Sequence, residues 1–255
     1  MKKDICSFEY KELQEEMKAL GEKSFRAGQI YDWLHVKLCG SFSEMTNLSK
    51  SLREKLEQEY EILPAEMEER QISAIDGTNK FLFRLYDGNM VESVLMRYKH
   101  GNSVCISSQA GCRMGCVFCA STIGGLNRNL TPSEMLRQIY QIQKITGERV
   151  SNVVVMGTGE PLDNYDNLLK FIHILTGEHG LNISQRNVTV STCGIVPKIR
   201  ELAEEKLQIT LALSLHGATQ EKRKKLMPIA NKYDLSQVLE ACDGYFEKTG
   251  RRVTF

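Results

Sequence analysis

Three cysteines fall within eight residues in Gln109-Ala-Gly-Cys112-Arg-Met-Gly-Cys116-Val-Phe-Cys119-Ala-Ser, at C-x3-C-x2-C spacing. Thiolates are the ligands of zinc and of iron–sulfur clusters, and three of them on one glycine-containing loop can face a common centre. A [4Fe–4S] cluster offers four iron corners, so three cysteines leave one iron free for a further ligand. The same spacing also admits a zinc site completed by a histidine, or three small residues with no shared role. The aromatic Phe118 directly before the third cysteine argues against chance. The other five cysteines, at 6, 39, 105, 193 and 242, are scattered. A secreted chain of this size would spread its cysteines in disulfide pairs; clustering points to metal binding or catalysis in a reducing compartment.

Other candidate groups carry a bland reading beside the functional one. Cys105 on a strand would ordinarily be a small buried hydrophobe. Glu92, in Val-Glu-Ser, reads as an exposed strand residue. Gly157-Thr-Gly159-Glu160-Pro161 is a strand-to-helix turn, and His216 by itself would be a structural histidine. Their positions at strand ends give them weight only if the strands build one sheet whose C-terminal end is the active face.

The elements that must position these groups follow from periodicity. Residues 1–65 read as helical and acidic, with ten basic and twelve acidic side chains. Ser7 is a candidate cap for a helix from Phe8 to about Leu20, ended by Gly21. Phe25, Ile30, Trp33, Leu34 and Leu38 make a second stripe, and Leu48, Leu52 and Leu56 a third. Pro64 closes the block. Residues 66–102 change to a period of two, with Asp-Gly turns and Phe81, Phe83 and Leu85 in alternation, so a β-meander is expected.

From 103 onward, strand and helix alternate. Strand candidates are Ser103–Ser108, Asn152–Met156, Asn187–Thr192, Gln208–Leu215 and Arg251–Phe255. The sharpest helix start is Thr131-Pro-Ser-Glu134, with Pro at the first helical position and a capping-box glutamate. Strands such as VVVM and ITLALSL read as apolar on both faces, which implies a parallel sheet covered by helices. The expected fold class is α/β. It comprises a helical accessory domain (1–65), a meander (66–102) and the first five βα units of a barrel (103–255). A full eightfold barrel takes about 250 residues, so the chain is expected to be C-terminally truncated.

Composition sets outer bounds. The 255 residues are 42% hydrophobic and 25% charged, with a net charge of +1, which excludes a disordered chain. No apolar run reaches the roughly 20 residues a membrane helix needs, and the N-terminus lacks a signal-peptide apolar core. A cytoplasmic protein with no membrane partner is expected. Residues 103–255 carry 18 basic and 14 acidic side chains, including Lys222-Arg223-Lys224-Lys225 and Arg128. Such residues could neutralise phosphates, although a solvated helix face is the commoner meaning of a basic run.

Taken in series, CISSQAGCRMGCVFCAST, GLNRNLT, VVVMGTGEPLDNY, VTVSTCGIVP and LALSLHGAT resemble the RlmN/Cfr family of radical S-adenosylmethionine (SAM) RNA methyltransferases. The resemblance runs from about Val91 to Phe255 and implies a partial radical-SAM barrel. By resemblance, Cys112, Cys116 and Cys119 hold a [4Fe–4S] cluster whose free iron chelates SAM. Gly159, Glu160, Ser191, Ser214, Leu215 and His216 match SAM-contacting positions. Glu92 matches the family's proton acceptor. Cys105 matches the thiol that resolves a methyl-carrying protein–RNA adduct through a transient disulfide.

The resemblance further implies adenine methylation in 23S ribosomal RNA (adenine 2503) and transfer RNA (adenine 37), an electron donor of flavodoxin type, and a monomer. The GEPL and GLNRNLT segments favour the C2-methylating RlmN branch, while CISSQ and LMPI also suit C8 methylation as in Cfr. The family's carrier cysteine and a later SAM-contacting asparagine have no counterpart here, so this chain alone is expected not to complete methyl transfer. Another radical-SAM enzyme, or a zinc-stabilised RNA-binding module, would be the competing identities.

Overall fold

Residues 2–255 are described by a computed structural model. At the N-terminus, β1 (Lys3–Asp4) leads through a short turn to α1 (Tyr10–Ala19), α2 (Arg26–His35) and α3 (Lys50–Glu59), and β2 (Tyr60–Glu61) returns to pair with β1. Ser7 does not cap α1. Glu9 is the cap and forms a capping box with Glu12, while the Ser7 hydroxyl donates to Asp4 and accepts from the Ser133 amide. Of the second predicted stripe, Ile30 and Leu34 are buried but Phe25, at the cap position of α2 ahead of its first turn, is exposed.

The meander β3 (Ala65–Ile72), β4 (Asn79–Leu85) and β5 (Met90–Tyr98) continues directly into β6 (Gly101–Ile106) through an antiparallel pairing that sets Val94 opposite Cys105. Phe81, Phe83 and Leu85 lie buried on one face, as their alternation requires. After β6 come a small hairpin of β7 (Gln109–Gly111) and β8 (Leu126–Asn129) and then α4 (Pro132–Thr146). The remaining units are β9 (Val150–Val155), α5 (Tyr165–Thr176), β10 (Val188–Thr192), α6 (Val196–Glu204), β11 (Thr210–Leu213), α7 (Gln220–Leu226), α8 (Leu235–Thr249) and β12 (Val253–Thr254). One eight-stranded sheet results, ordered β12-β11-β10-β9-β6-β5-β4-β3, parallel from β6 to β12 and antiparallel from β6 to β3. The parallel half, with a helix between successive strands, is the α/β class expected from the sequence.

Apolar residues do stand on both faces of the VVVM and ITLALSL strands, Val154 and Ala212 among them, but the helices cover only one face. Val104, Ile106, Val153, Val155, Val188, Val190, Leu211 and Leu213 share a buried cluster with the apolar sides of the helices, among them Leu136, Phe171, Ile199 and Val238. The alternate residues Cys105, Val154, Thr189 and Ser191 are only half-buried. Covered and open faces therefore alternate with the strand period, and the open face leads to the site. At the predicted capping box, Thr131 accepts from the Glu134 amide at 3.2 Å and Glu134 accepts from the Thr131 amide at 2.9 Å.

The helical block docks on α4 and α5. Arg137 of α4 reaches the Cys39 carbonyl at 3.3 Å and the Cys6 sulfur at 3.1 Å, and Lys170 pairs with Glu12 at 2.7 Å. In the middle of this interface His35 is fully buried, with Nδ1 2.7 Å from the Tyr140 hydroxyl. Burial pushes its pKa down to about 3, with the Arg137 charge adding to the effect. The unfolded chain takes up this proton near pH 6.5, whereas the native chain resists it. Stability carried by neutral His35 is therefore complete above pH 6.5 and lost as pH falls from there toward 3. Urea unfolding of His35→Gln should show a pH slope flatter by up to one proton, about 1.4 kcal/mol per pH unit, across pH 4–6. An unchanged slope would place the acid-labile group elsewhere.

Candidate active site at the C-terminal ends of the parallel strands

Loops leaving β6, β9, β10 and β11 converge on one pocket of about 220 Å³. Its lining includes Cys112, Cys116 and Cys119 from the loop after β6, Gly159 and Glu160 after β9, Ser191 at the end of β10, and Ser214 and His216 after β11. The structure thus gathers eight of the eleven residues singled out from sequence. It does so because parallel strands all deliver their C-terminal loops to one end of the sheet.

The cysteine loop is held at both ends. At its base, β7 pairs with β8, and the Cys112 amide donates to the Gly125 carbonyl at 2.9 Å. Gly111, at φ +78°, presses against that carbonyl so closely that a Cβ there would overlap it. Across the pocket, Arg113 forms a two-point contact with Asp163, at 2.8 and 2.5 Å. The Val117 amide donates to the Leu226 carbonyl at the end of α7. Phe118 lies with its ring 4.4 Å from that of His216, whose backbone has a left-handed φ of +54°.

The turn after β9 is laced to the strand beside it. Gly157 donates to the Ile106 carbonyl, Ser108 and Gln109 donate to the Thr158 carbonyl, and the Glu160 amide donates to the Gln109 side chain. Gly159, at φ +110°, passes within the space a Cβ would need against Gln109. Only glycine allows both that conformation and that approach. The Glu160 carboxylate is thereby sunk into the pocket wall, 4% exposed, where it accepts from the Leu162 amide at 3.1 Å and the Cys193 amide at 2.7 Å. Burial raises its pKa above the usual carboxylate range, against the lowering effect of those hydrogen bonds. Among the described residues no lysine, arginine or histidine pairs with it.

Burial also raises the thiols of Cys112 and Cys116, the latter to about 11. Deprotonating them for metal ligation requires a positive centre to compensate. Among the described residues, no three His, Cys, Asp or Glu side chains converge on one point as ligands of a single ion would. The three loop thiols instead line a common wall. That donor set suits a multinuclear cluster, in which each thiolate takes a separate iron.

Three sequence-predicted residues lie outside the lining. Cys105 sits half-buried on β6 between Val94 and Val154, its thiol pKa raised by burial. Glu92, whose backbone carbonyl accepts from the Ser107 hydroxyl, is exposed and pairs through its side chain with Lys80 at 2.5 Å. Leu215 contributes a backbone carbonyl bound from behind the pocket by Arg223. Arg128 is not a free phosphate contact, because Asp87 and Glu134 grip it from two sides at 2.6 and 2.7 Å. Nor does the basic run form one solvated face: Arg223 is fully buried, while Lys222, Lys224 and Lys225 are exposed. All eight cysteines are free thiols, so no standing disulfide is present. Cys193 and Met227, not singled out from the sequence as site residues, pack together beside Cys116 and also line the pocket. Nothing in their immediate sequence signals this.

Comparison with known proteins agrees with the geometry. Residues 3–62 match the family described as "Ribosomal RNA large subunit methyltransferase N-terminal domain", and residues 106–255 match the radical SAM superfamily. A protein of Lachnoclostridium phytofermentans named "Probable dual-specificity RNA methyltransferase RlmN" is 65% identical over 252 residues, covering 99% of this chain and 71% of that one. A protein of the same name from Clostridium perfringens is 55% identical, with 99% and 73% covered. The crystal structure of a radical SAM methyltransferase from Sphaerobacter thermophilus superposes with a TM-score of 0.92 at 39% identity, covering 99% of this chain and 75% of that one. With thiols, buried carboxylate and strand-end serines gathered as described, the chain belongs to the RlmN family within the radical SAM superfamily.

Proposed function

We propose that Cys112, Cys116 and Cys119 hold a [4Fe–4S] cluster, that SAM binds beside it, and that the protein serves C2 methylation of adenine in ribosomal and transfer RNA. The observation that carries the reading is the buried Glu160 carboxylate, without a cationic side chain beside it, in the same pocket wall as the three loop thiols. A buried anion needs a positive partner, and the ammonium of SAM supplies one as a charge-assisted donor. Ser191 and Ser214, whose hydroxyls lie 3.3 Å apart, would take polar groups of the nucleoside end. Cluster and SAM, when bound, supply the one-electron reductive chemistry. The chain's own part is to fix both and to exclude water.

Glu92 stands beside the open face, where it could accept a proton from substrate once released from Lys80. Cys105 faces the same side of the sheet from β6, in line with a resolving thiol. For a methyl-carrying thiol the described residues offer little: Cys6, Cys39 and Cys242 are buried away from the pocket, and Cys193 is held against Glu160 with its pKa strongly raised. Residues 1–255 by themselves are therefore expected to bind cluster and SAM without completing methyl transfer. Exposed Lys222 and Lys225, beside the cluster loop, would meet RNA phosphates or an acidic electron donor. A C8-methylating activity uses the same parts, and the GEPL and GLNRNLT segments favour C2.

A pH titration tests the site without turnover. With its free-state pKa raised, Glu160 is protonated over a range where an ordinary carboxylate is not, and a bound ammonium pulls the pKa back down. Binding of S-adenosylhomocysteine, which keeps the amino-acid end of SAM, should therefore release a proton. Its affinity should rise with pH through the raised Glu160 pKa and level off above it. Glu160→Gln should abolish that dependence and weaken binding about tenfold or more. Equal affinity of the two proteins at neutral pH would remove Glu160 from the site.

A further inference from the structure

Behind the pocket, one side chain ties together elements that the proposed SAM and cluster sites draw from different parts of the chain. Arg223 of α7 is fully buried. Its Nη1 donates to the Ser214 carbonyl at 2.9 Å and the Leu215 carbonyl at 2.7 Å, and its Nη2 donates to the Cys193 carbonyl at 2.5 Å. Nη1 also lies 3.3 Å from the Met227 sulfur. The guanidinium thus spans the ends of β10 and β11, just where Ser191, Ser214 and His216 project into the pocket.

The backbone around it is shaped to let it in. A Cβ on Gly194, at φ +100°, would stand 3.0 Å from Nη2, and one on Gly217 would stand 2.8 Å from the Arg223 amide nitrogen. Between the gripped Leu215 carbonyl and Gly217 lies His216 at φ +54°, a conformation that costs a non-glycine residue about 1 kcal/mol or more and persists only when its surroundings impose it. The same short helix holds the cluster loop: Leu226 accepts from the Val117 amide at 3.0 Å, and His216 packs on Phe118. Met227, at the end of α7, packs with Cys116 and Cys193 in a separate small core beside the pocket.

Burying a guanidinium is expensive, and here no carboxylate offsets it while Nε has no acceptor. A side chain needed only to fill the space would be apolar. We infer that Arg223 is a positioning residue. It locks the SAM-facing ends of β10 and β11, including the left-handed turn at His216, in register with the cysteine loop. This inference rests on the reading of the pocket as a SAM site.

The test is Arg223→Lys, which keeps the charge but replaces a planar fork with a point donor that cannot span carbonyls on two strands. Its readout is calorimetric binding of S-adenosylhomocysteine to the anaerobically reconstituted full chain, with Arg137→Lys as the comparison. Arg137 is another buried arginine, but it serves the helical-block interface. Arg223→Lys is expected to bind about tenfold more weakly than wild type, and Arg137→Lys within about twofold of it. Wild-type affinity in Arg223→Lys, or an equal loss in Arg137→Lys, would overturn the positioning role and leave the SAM site standing. Failure of the wild-type chain to bind would overturn both.

Should Arg223→Lys not fold, hydrogen exchange on the wild-type chain decides. Amides of Gly194, Ser214–Gly217 and Arg223–Met227 are expected to slow together when S-adenosylhomocysteine is added. If the α7 amides are indifferent to the ligand, the inference falls.

Discussion

Replacing any one of Cys112, Cys116 or Cys119 with alanine is expected to abolish iron retention after anaerobic reconstitution, while Cys105→Ala and Cys193→Ala keep the wild-type content. The asymmetry follows from placement. The three loop thiols line one wall on a loop anchored by the β7–β8 hairpin, by Arg113–Asp163 and by Val117–Leu226. A cluster held by three thiolates has no spare protein ligand on this loop, so two remaining cysteines leave it labile. Cys105 lies on the open face of β6 outside the lining. Cys193 does line the pocket, but it is committed to Glu160 through its amide, and burial beside that carboxylate pushes its thiol pKa strongly up. Iron and sulfide assays on the five variants distinguish the assignments. Full iron in any loop variant, or loss in Cys105→Ala, would mean the wrong ligands have been named.

A change that removes no ligand should be nearly as damaging. Gly111→Ala places a methyl group where the Gly125 carbonyl oxygen sits, and it does so at a positive φ that alanine adopts at a cost of about 1–2 kcal/mol. The Gly125 carbonyl accepts from the Cys112 amide, so relieving the overlap means opening the base of the cysteine loop. Backbone on both sides prevents the cheap escape that a flexible side chain would give. The variant is expected to reconstitute with less than about a third of the wild-type iron, consistent with a 1 kcal/mol or greater loss in local loop closure. Its far-ultraviolet circular dichroism should remain wild-type, since the large sheet does not pass through this hairpin. Gly88→Ala serves as the control. It too sits at positive φ, but with open space around it, so it should keep its iron. Equal iron in Gly111→Ala and wild type would show that the loop base is not what positions the thiols.

Much of this architecture could be read from residue order because it rests on local rules. The alternating Phe81, Phe83 and Leu85 had to form one buried strand face, and Thr131-Pro-Ser-Glu134 had to start a helix. Cysteine spacing pointed to a thiolate site before any strand was placed. What could not be read was long-range. The Ser7 hydroxyl serves Asp4 and the distant Ser133 amide instead of α1, because docking of the helical block on α4 outcompetes a local cap. Strand residues expected to be apolar on both faces proved half-open on one side, since only the complete curved sheet reveals which face the helices cover. Arg128 and Arg223 stood in a basic segment that could neutralise phosphates or, more commonly, form a solvated face. One is gripped by two carboxylates and the other is buried beneath the pocket, and each set includes a partner far off in the chain, Asp87 for Arg128 and Cys193 for Arg223. Cys193 stands inside the VTVSTCGIVP segment two residues after Ser191, but that order does not show that its amide holds Glu160 or that its side chain packs against Cys116 at the pocket.

A three-thiolate cluster with SAM beside it in one pocket has a spectroscopic consequence. Electron paramagnetic resonance of the reconstituted, dithionite-reduced chain tests it most directly, recorded with and without SAM. The reduced chain should give the signal of a single [4Fe–4S] centre whose g-values shift when SAM is added, with no such shift in Glu160→Gln at the same SAM concentration. A chain that takes up zinc but no iron, or a cluster signal that SAM leaves unaltered, would contradict it.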